Sequence, residues 1–198
     1  MYGGRIAVPP SSKFLSLERI VTVMKMASAH IYRTASTLDY ESHCFEPMGT
    51  SASDVRITHR FTVLEDEKTH EVVAQREVNQ KYNMTDKKSP LWNIHVVGPS
   101  ELLTGIHATS DDFVFPKFYI FWSFHHCISD GLSGWAFIRE FMARMGPECF
   151  QVDPPAIQDI PIVTRVPPLI DNLIRTNWIE LFPGTLILVM IVYLFSLL

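Results

Sequence analysis

His125 and His126 stand side by side in the segment His125-His126-Cys127-Ile128-Ser129-Asp130-Gly131, directly after the apolar run Phe118-Tyr119-Ile120-Phe121-Trp122-Ser123-Phe124. An imidazole at the end of a buried strand is a base whose ordinary pKa lies near neutrality, which suits it to take a proton from a hydroxyl or an amine. Such a base needs one ring nitrogen free and the other held by a neighbour, and it contributes roughly 10²- to 10⁴-fold in rate. Adjacent side chains on a strand point to opposite faces, so one histidine is expected to face a cleft and the other to be structural. Gly131 removes bulk where a substrate or backbone must come close, and Asp130 suits a turn residue that pairs with an arginine and holds the loop. A metal site built from His125, His126, Cys127 and Asp130 is disfavoured because adjacent strand residues diverge. Cys127 as a nucleophile is disfavoured because the base it would need is its own neighbour, pointing away.

The elements that must position this segment follow from pattern. Arg56 to Leu64 alternates Ile57, His59, Phe61 and Val63 against Arg56, Thr58, Arg60 and Thr62, which predicts a half-buried strand. Pro90-Leu91 opens a second strand at Trp92 to Val97, with the proline where a strand loses least by lacking an N–H. The third strand, from Phe115 or Lys117 to Cys127, is expected to be buried on both faces. Ser133 to Met145 reads as a helix with Trp135, Ile138, Phe141, Met142 and Met145 on one stripe, capped by Ser133 or Asp130 and ended by Gly146-Pro147. Leu17 to Tyr32 reads as another, with Ile20, Val23, Met24, Ala27 and Ile31 on one face, while Thr34 to Ser53 reads as a long loop. Glu71 to Asn79 fits a short helix or a strand. Trp92, Trp122 and Trp135 are expected in the core, and His95 and His107 have no partners that the sequence names.

The segment HHCISDG matches the HHxxxDG motif, and the chain therefore resembles the chloramphenicol acetyltransferase-like acyltransferase superfamily. The adjoining Leu132-Ser133-Gly134 with its amphipathic helix, and the upstream Pro90-Leu91-Trp92 strand, look most like the fungal alcohol acetyltransferases. The resemblance implies that His126 is the general base, that His125 and Asp130 are supporting, and that Gly131 leaves room at a substrate channel. It implies no permanently bound cofactor, acetyl-CoA or another acyl-CoA, or else a carrier-bound acyl group, as donor, and a small-molecule alcohol as acceptor. It leaves the residues that bind the donor unknown. The implied fold is an α/β (α+β) half of a CoA-dependent acyltransferase: a mixed sheet holding the Arg56, Trp92 and Lys117 strands, with covering helices and a C-terminal apolar helix. Members resemble two similar halves with the reacting centre between them. This chain carries the motif half and lacks the Asp-Phe-Gly-Trp-Gly signature of the plant branch's second half. A non-catalytic half-enzyme bound to a membrane or partner, and condensation-type N-acyl transfer, are the alternative functions.

The expected organisation is a poorly matched segment over 1–55, the motif domain over 56–150, a proline-rich linker over 151–177 and an apolar tail over 178–198. Thr185 to Leu198 carries no charge, but as a helix it would reach only about 21 Å, short of a hydrocarbon core about 30 Å thick. Three readings stay open for it: a tail anchor, a buried element, or translated non-coding sequence. The balance of 17 Lys and Arg against 21 Asp and Glu, without a block of like charge, argues against a nucleic-acid partner. Cys44, Cys127 and Cys149 are too few and scattered for a disulfide framework, and the N-terminus lacks the apolar core of a secretory signal. The expected location is the cytoplasm or the cytoplasmic face of an intracellular membrane.

Overall fold

The computed structural model describes residues 1–8, 12–39, 41–83, 86, 89–129, 131–145 and 156–164. Four strands form its main sheet: β1 (Tyr2–Ile6), β5 (Thr58–Val63), β6 (Trp92–Gly98) and β8 (Phe118–Phe124), in the spatial order β1-β8-β6-β5. Strands β1 and β6 both run antiparallel to β8, whereas β5 and β6 are parallel. A parallel pair needs a crossover, and α2 (Thr69–Val78) supplies it, settling the Glu71 to Asn79 segment as helical. The result is the mixed α/β sheet with covering helices that the motif's resemblance implies.

Every residue of β6 is buried, because it is flanked by strands on both edges and covered on both faces. One face meets α1 (Leu17–Ala29) and α3 (Gly131–Arg144), and the large core lies there. Ile20, Val23, Met24 and Ala27 of α1 are all fully buried, as their 3.6-residue spacing predicts. Ser16 caps that helix, its hydroxyl oxygen accepting the Arg19 N–H at 3.1 Å. Two buried indoles are satisfied on this side: Trp92 donates to the Thr34 carbonyl at 2.9 Å and Trp122 to Met24 Sδ at 3.3 Å. The opposite face meets α2 and holds a smaller apolar cluster of Val73, Val97 and Phe121.

Several elements differ from the sequence expectation. Residues 34–53, expected as a loop, contain a hairpin of β3 (Ser36–Asp39) and β4 (Cys44–Pro47), too short and polar to show an alternating pattern. The poorly matched N-terminal segment contributes a sheet edge, β1, and a thirteen-residue core helix, α1. Phe14–Leu15 (β2) and Ile106–His107 (β7) form a further small pair.

Helix α3 begins at Gly131, so Ser133 lies inside it and does not cap it. Its buried stripe is Gly134, Phe137, Phe141 and Met145, rotated from the expected one, and Trp135 and Met142 are 63% and 42% exposed. Gly134 explains the rotation: a Cβ there would lie 2.2 Å from the Tyr2 ring, so the helix closes on β1 along its glycine edge. Trp135 is left on the flank of Tyr2, ring centroids 5.8 Å apart.

Residues 156–164 lie against the N-terminal core, where Ile162 N–H donates to the Thr50 carbonyl at 3.0 Å and Val163 N–H to the Ala29 carbonyl at 2.8 Å. The rest of the expected linker and the apolar tail fall outside the described residues. Among the described residues, no helix is long and apolar enough to cross a membrane.

Candidate active site

Strand β8 ends at Phe124, and both histidines lie just past it: His125 follows the strand and residues 126–128 form a turn. The alternation rule therefore does not govern this pair, because His126 lies in the turn and not on the strand. His125 N–H donates to the Leu91 carbonyl at 2.8 Å, carrying the β6–β8 ladder one step further, and the Ile128 N–H closes the turn on the His125 carbonyl at 3.1 Å.

The two imidazoles have different surroundings. His125 is half-buried, and its Nδ1 accepts the Cys127 backbone N–H at 3.2 Å. A backbone N–H can only donate, so Nδ1 carries the lone pair and, in the neutral ring, Nε2 carries the proton. The Cys127 thiol lies 3.0 Å from the same nitrogen. Burial pushes that thiol above its ordinary range, so it stays protonated, which fits donation to Nδ1 and not nucleophilic use. His126 is exposed, and among the described residues neither of its ring nitrogens has a hydrogen-bond partner. Gly131 opens α3, placing the motif on a strand–turn–helix junction, while Asp130 falls outside the described residues.

Beneath the turn, aromatic packing holds the end of β8. Phe124 stacks on Trp92 with centroids 6.0 Å apart, and Phe137 meets both edge-on, at 5.4 Å from Phe124 and 5.1 Å from Trp92. Trp92 and Phe137 are fully buried, so the strand end is anchored in the rigid core rather than in a loop.

On the α2 face lies a polar cluster that sequence reading missed. Glu77 of α2 has a fully buried side chain; its Oε1 accepts from His95 Nδ1 and from Arg60 Nη1, both at 3.0 Å, and its Oε2 from Ser123 Oγ at 3.1 Å. His95 therefore does have partners, the second being Thr62 Oγ1 at 2.8 Å from Nε2. Thr62, His95 and Glu77 have the connectivity of a hydroxyl–imidazole–carboxylate triad. Yet Glu77 also spends its charge on Arg60 and a hydrogen bond on Ser123, the pattern of a carboxylate made acceptable in a core. The signal available in sequence was parity: Arg60, His95 and Ser123 are polar residues on the same face of three strands that pair side by side.

No protein-family model matches the chain, and no curated protein matches it. Solved structures do. The chain is similar to the starter condensation domain of rhizomide synthetase, at 11% identity and a TM-score of 0.49 over 77% of this chain and 33% of that one. It is similar to a structure of condensation domain-mediated chain release from the enacyloxin polyketide synthase, at 15% identity and a TM-score of 0.48 over 79% and 27%. A wax ester synthase/diacylglycerol acyltransferase from Marinobacter aquaeolei VT8 matches at 16% identity and a TM-score of 0.35 over 87% and 39%. The chain thus spans between 27% and 39% of the length of these structures.

Proposed function

We propose that the chain carries the base-bearing half of an O-acyltransferase that moves an acyl group from acyl-CoA to a small-molecule alcohol, with His126 as the general base. The observation that carries this reading is the asymmetry of the histidine pair: His125 has its lone pair occupied by Cys127, whereas His126 is exposed and unengaged. The motif His125-His126-Cys127-Ile128-Ser129-Asp130-Gly131 supports the same assignment. In the reaction, His126 takes the hydroxyl proton as the oxygen attacks the thioester carbonyl. The C–O bond forms, the C–S bond breaks, and the proton passes from the imidazolium to the departing CoA thiolate. Asp130 and Gly131 serve as supporting residues in this reading.

The test uses the full chain with acetyl-CoA and a panel of alcohols and amines, following free CoA thiol. Alcohol-dependent release that falls by roughly 10²-fold or more in a folded His126→Ala variant is the expected result. A folded variant that transfers at the parental rate overturns the role of His126. Turnover with amines alone replaces the O-acyl reading with the condensation-type one, and no turnover with any acceptor replaces it with a non-catalytic half-enzyme.

A further inference from the structure

Three backbone N–H hydrogen bonds at the turn run through His125. Its N–H is fixed to Leu91, its carbonyl accepts from Ile128, and its Nδ1 accepts from Cys127, so the orientation of His126 is inherited from how the His125 ring is held. One flank of that ring is closed by Tyr82, which meets it edge-on with centroids 6.0 Å apart and planes at 87°.

The Glu77 cluster sets Tyr82 in place. Arg60 Nη1 bonds both Glu77 Oε1 and Gln80 Oε1, the latter at 2.9 Å, which ties the chain two residues before Tyr82 to the sheet. Glu77 also holds Ser123, two residues before His125. One buried carboxylate therefore fixes both segments that meet at the His125 ring. The Tyr82 hydroxyl is buried beside Ser123 and Glu77, and burial, reinforced by the Glu77 charge and only partly offset by the Ser123 hydroxyl, keeps it protonated. What Tyr82 brings against His125 is its ring, not its hydroxyl.

We propose that Tyr82, seated by the Glu77–Arg60–Gln80 network, is a positioning residue that holds the His125 ring and so presents His126. This rests on the reading of His126 as the base. It assigns a role to a cluster that lies on the opposite face of the sheet from the main core.

The experiment compares full-length parent, Tyr82→Phe and Tyr82→Ala, with Tyr82→Leu in place of Ala should Ala fail to fold. Steady-state kinetics with acetyl-CoA and hydrogen–deuterium exchange of residues 126–128 are read together. The expected result for Ala is a kcat lowered roughly 10- to 100-fold with an unchanged acetyl-CoA KM, and faster exchange confined to the turn. Tyr82→Phe, which keeps the ring, matches the parent in both. Parental kcat and parental turn exchange in the Ala variant overturn the proposal, as does exchange accelerated through the whole sheet, which marks a merely structural residue. If the parent transfers nothing, the proposed function has failed and exchange alone decides this inference.

Discussion

Removing the Glu77 carboxylate is the sharpest test of how the α2 face is held. In Glu77→Ala, His95 Nδ1–H loses its acceptor and the Ser123 hydroxyl keeps only its longer bond, 3.4 Å to the backbone carbonyl of residue 77, while both residues stay buried, at 2% and 3% exposure. The orphaned His95 donor costs about 1–3 kcal/mol and the lost Ser123 bond about 1 kcal/mol more, so the change costs about 3 kcal/mol. Arg60 adds little, because it keeps Gln80 and its side chain is 38% exposed. The sum agrees with the roughly 3–5 kcal/mol typical of breaking a buried ion pair from one side. Glu77→Gln should behave differently. Its amide oxygen can accept from His95 and Arg60 while its NH₂ donates to Ser123 Oγ, which is able to accept. Every contact survives with weaker, uncharged bonds, at a cost of about 1–2 kcal/mol. Urea unfolding followed by the fluorescence of the buried Trp92 and Trp122, with m-values compared, measures both variants. A loss below about 1 kcal/mol in the Ala variant, or equal losses in Ala and Gln, would refute this account of the cluster.

Two further outcomes are expected. Phe137→Ala should lose about 3–5 kcal/mol because the ring is fully buried against Trp92 and Phe124, whereas Trp135→Ala should lose less than about 1 kcal/mol, its contact being the edge of Tyr2; the reverse order in urea melts would restore the stripe drawn from sequence. Ultraviolet titration of the parent minus Tyr82→Phe should show the Tyr82 phenol ionising only above the ordinary tyrosine range. Its folded value is raised, so the unfolded chain gives up this proton first and stability falls as pH climbs past about 10, with no pH dependence from this group below that. A phenol that titrates near its ordinary value would show that it is not sealed beside Glu77.

What could be read from the residues alone was what short-range pattern encodes. The α1 stripe emerged from period 3.6 and β6 and β8 from their apolar runs, because those side chains pack where the pattern points them; the edge strand β5 was placed by alternation, although His59 and Val63 of its expected inner face are exposed. The α3 stripe was misplaced because its rotation is set by a missing side chain, Gly134, whose effect depends on Tyr2 more than a hundred residues earlier in the chain. The hairpin of Ser36–Asp39 with Cys44–Pro47 was hidden because its strands are only four residues long and bring just one apolar pair, Leu38 and Phe45, against the core, too little to make a period. The Glu77 cluster was invisible for a related reason. It joins residues 60, 77, 80, 95 and 123, and only strand order and register bring them together.

The two histidines do differ in their surroundings, but strand alternation is not what the fold uses to make them differ. Strand alternation would separate the two histidines by sending them to opposite faces. The fold separates them chemically, by placing Cys127 so that its backbone N–H occupies Nδ1 of His125. The thiol is incidental to that arrangement, since the peptide N–H alone sets the tautomer, and any residue except proline at 127 supplies one. Position 127 thus matters as a piece of backbone, while His126, one residue before it and free of the ladder, keeps a lone pair open to solvent. Two identical side chains in sequence become an acceptor already occupied by the framework and an imidazole left exposed, and the turn that follows β8 is what divides them.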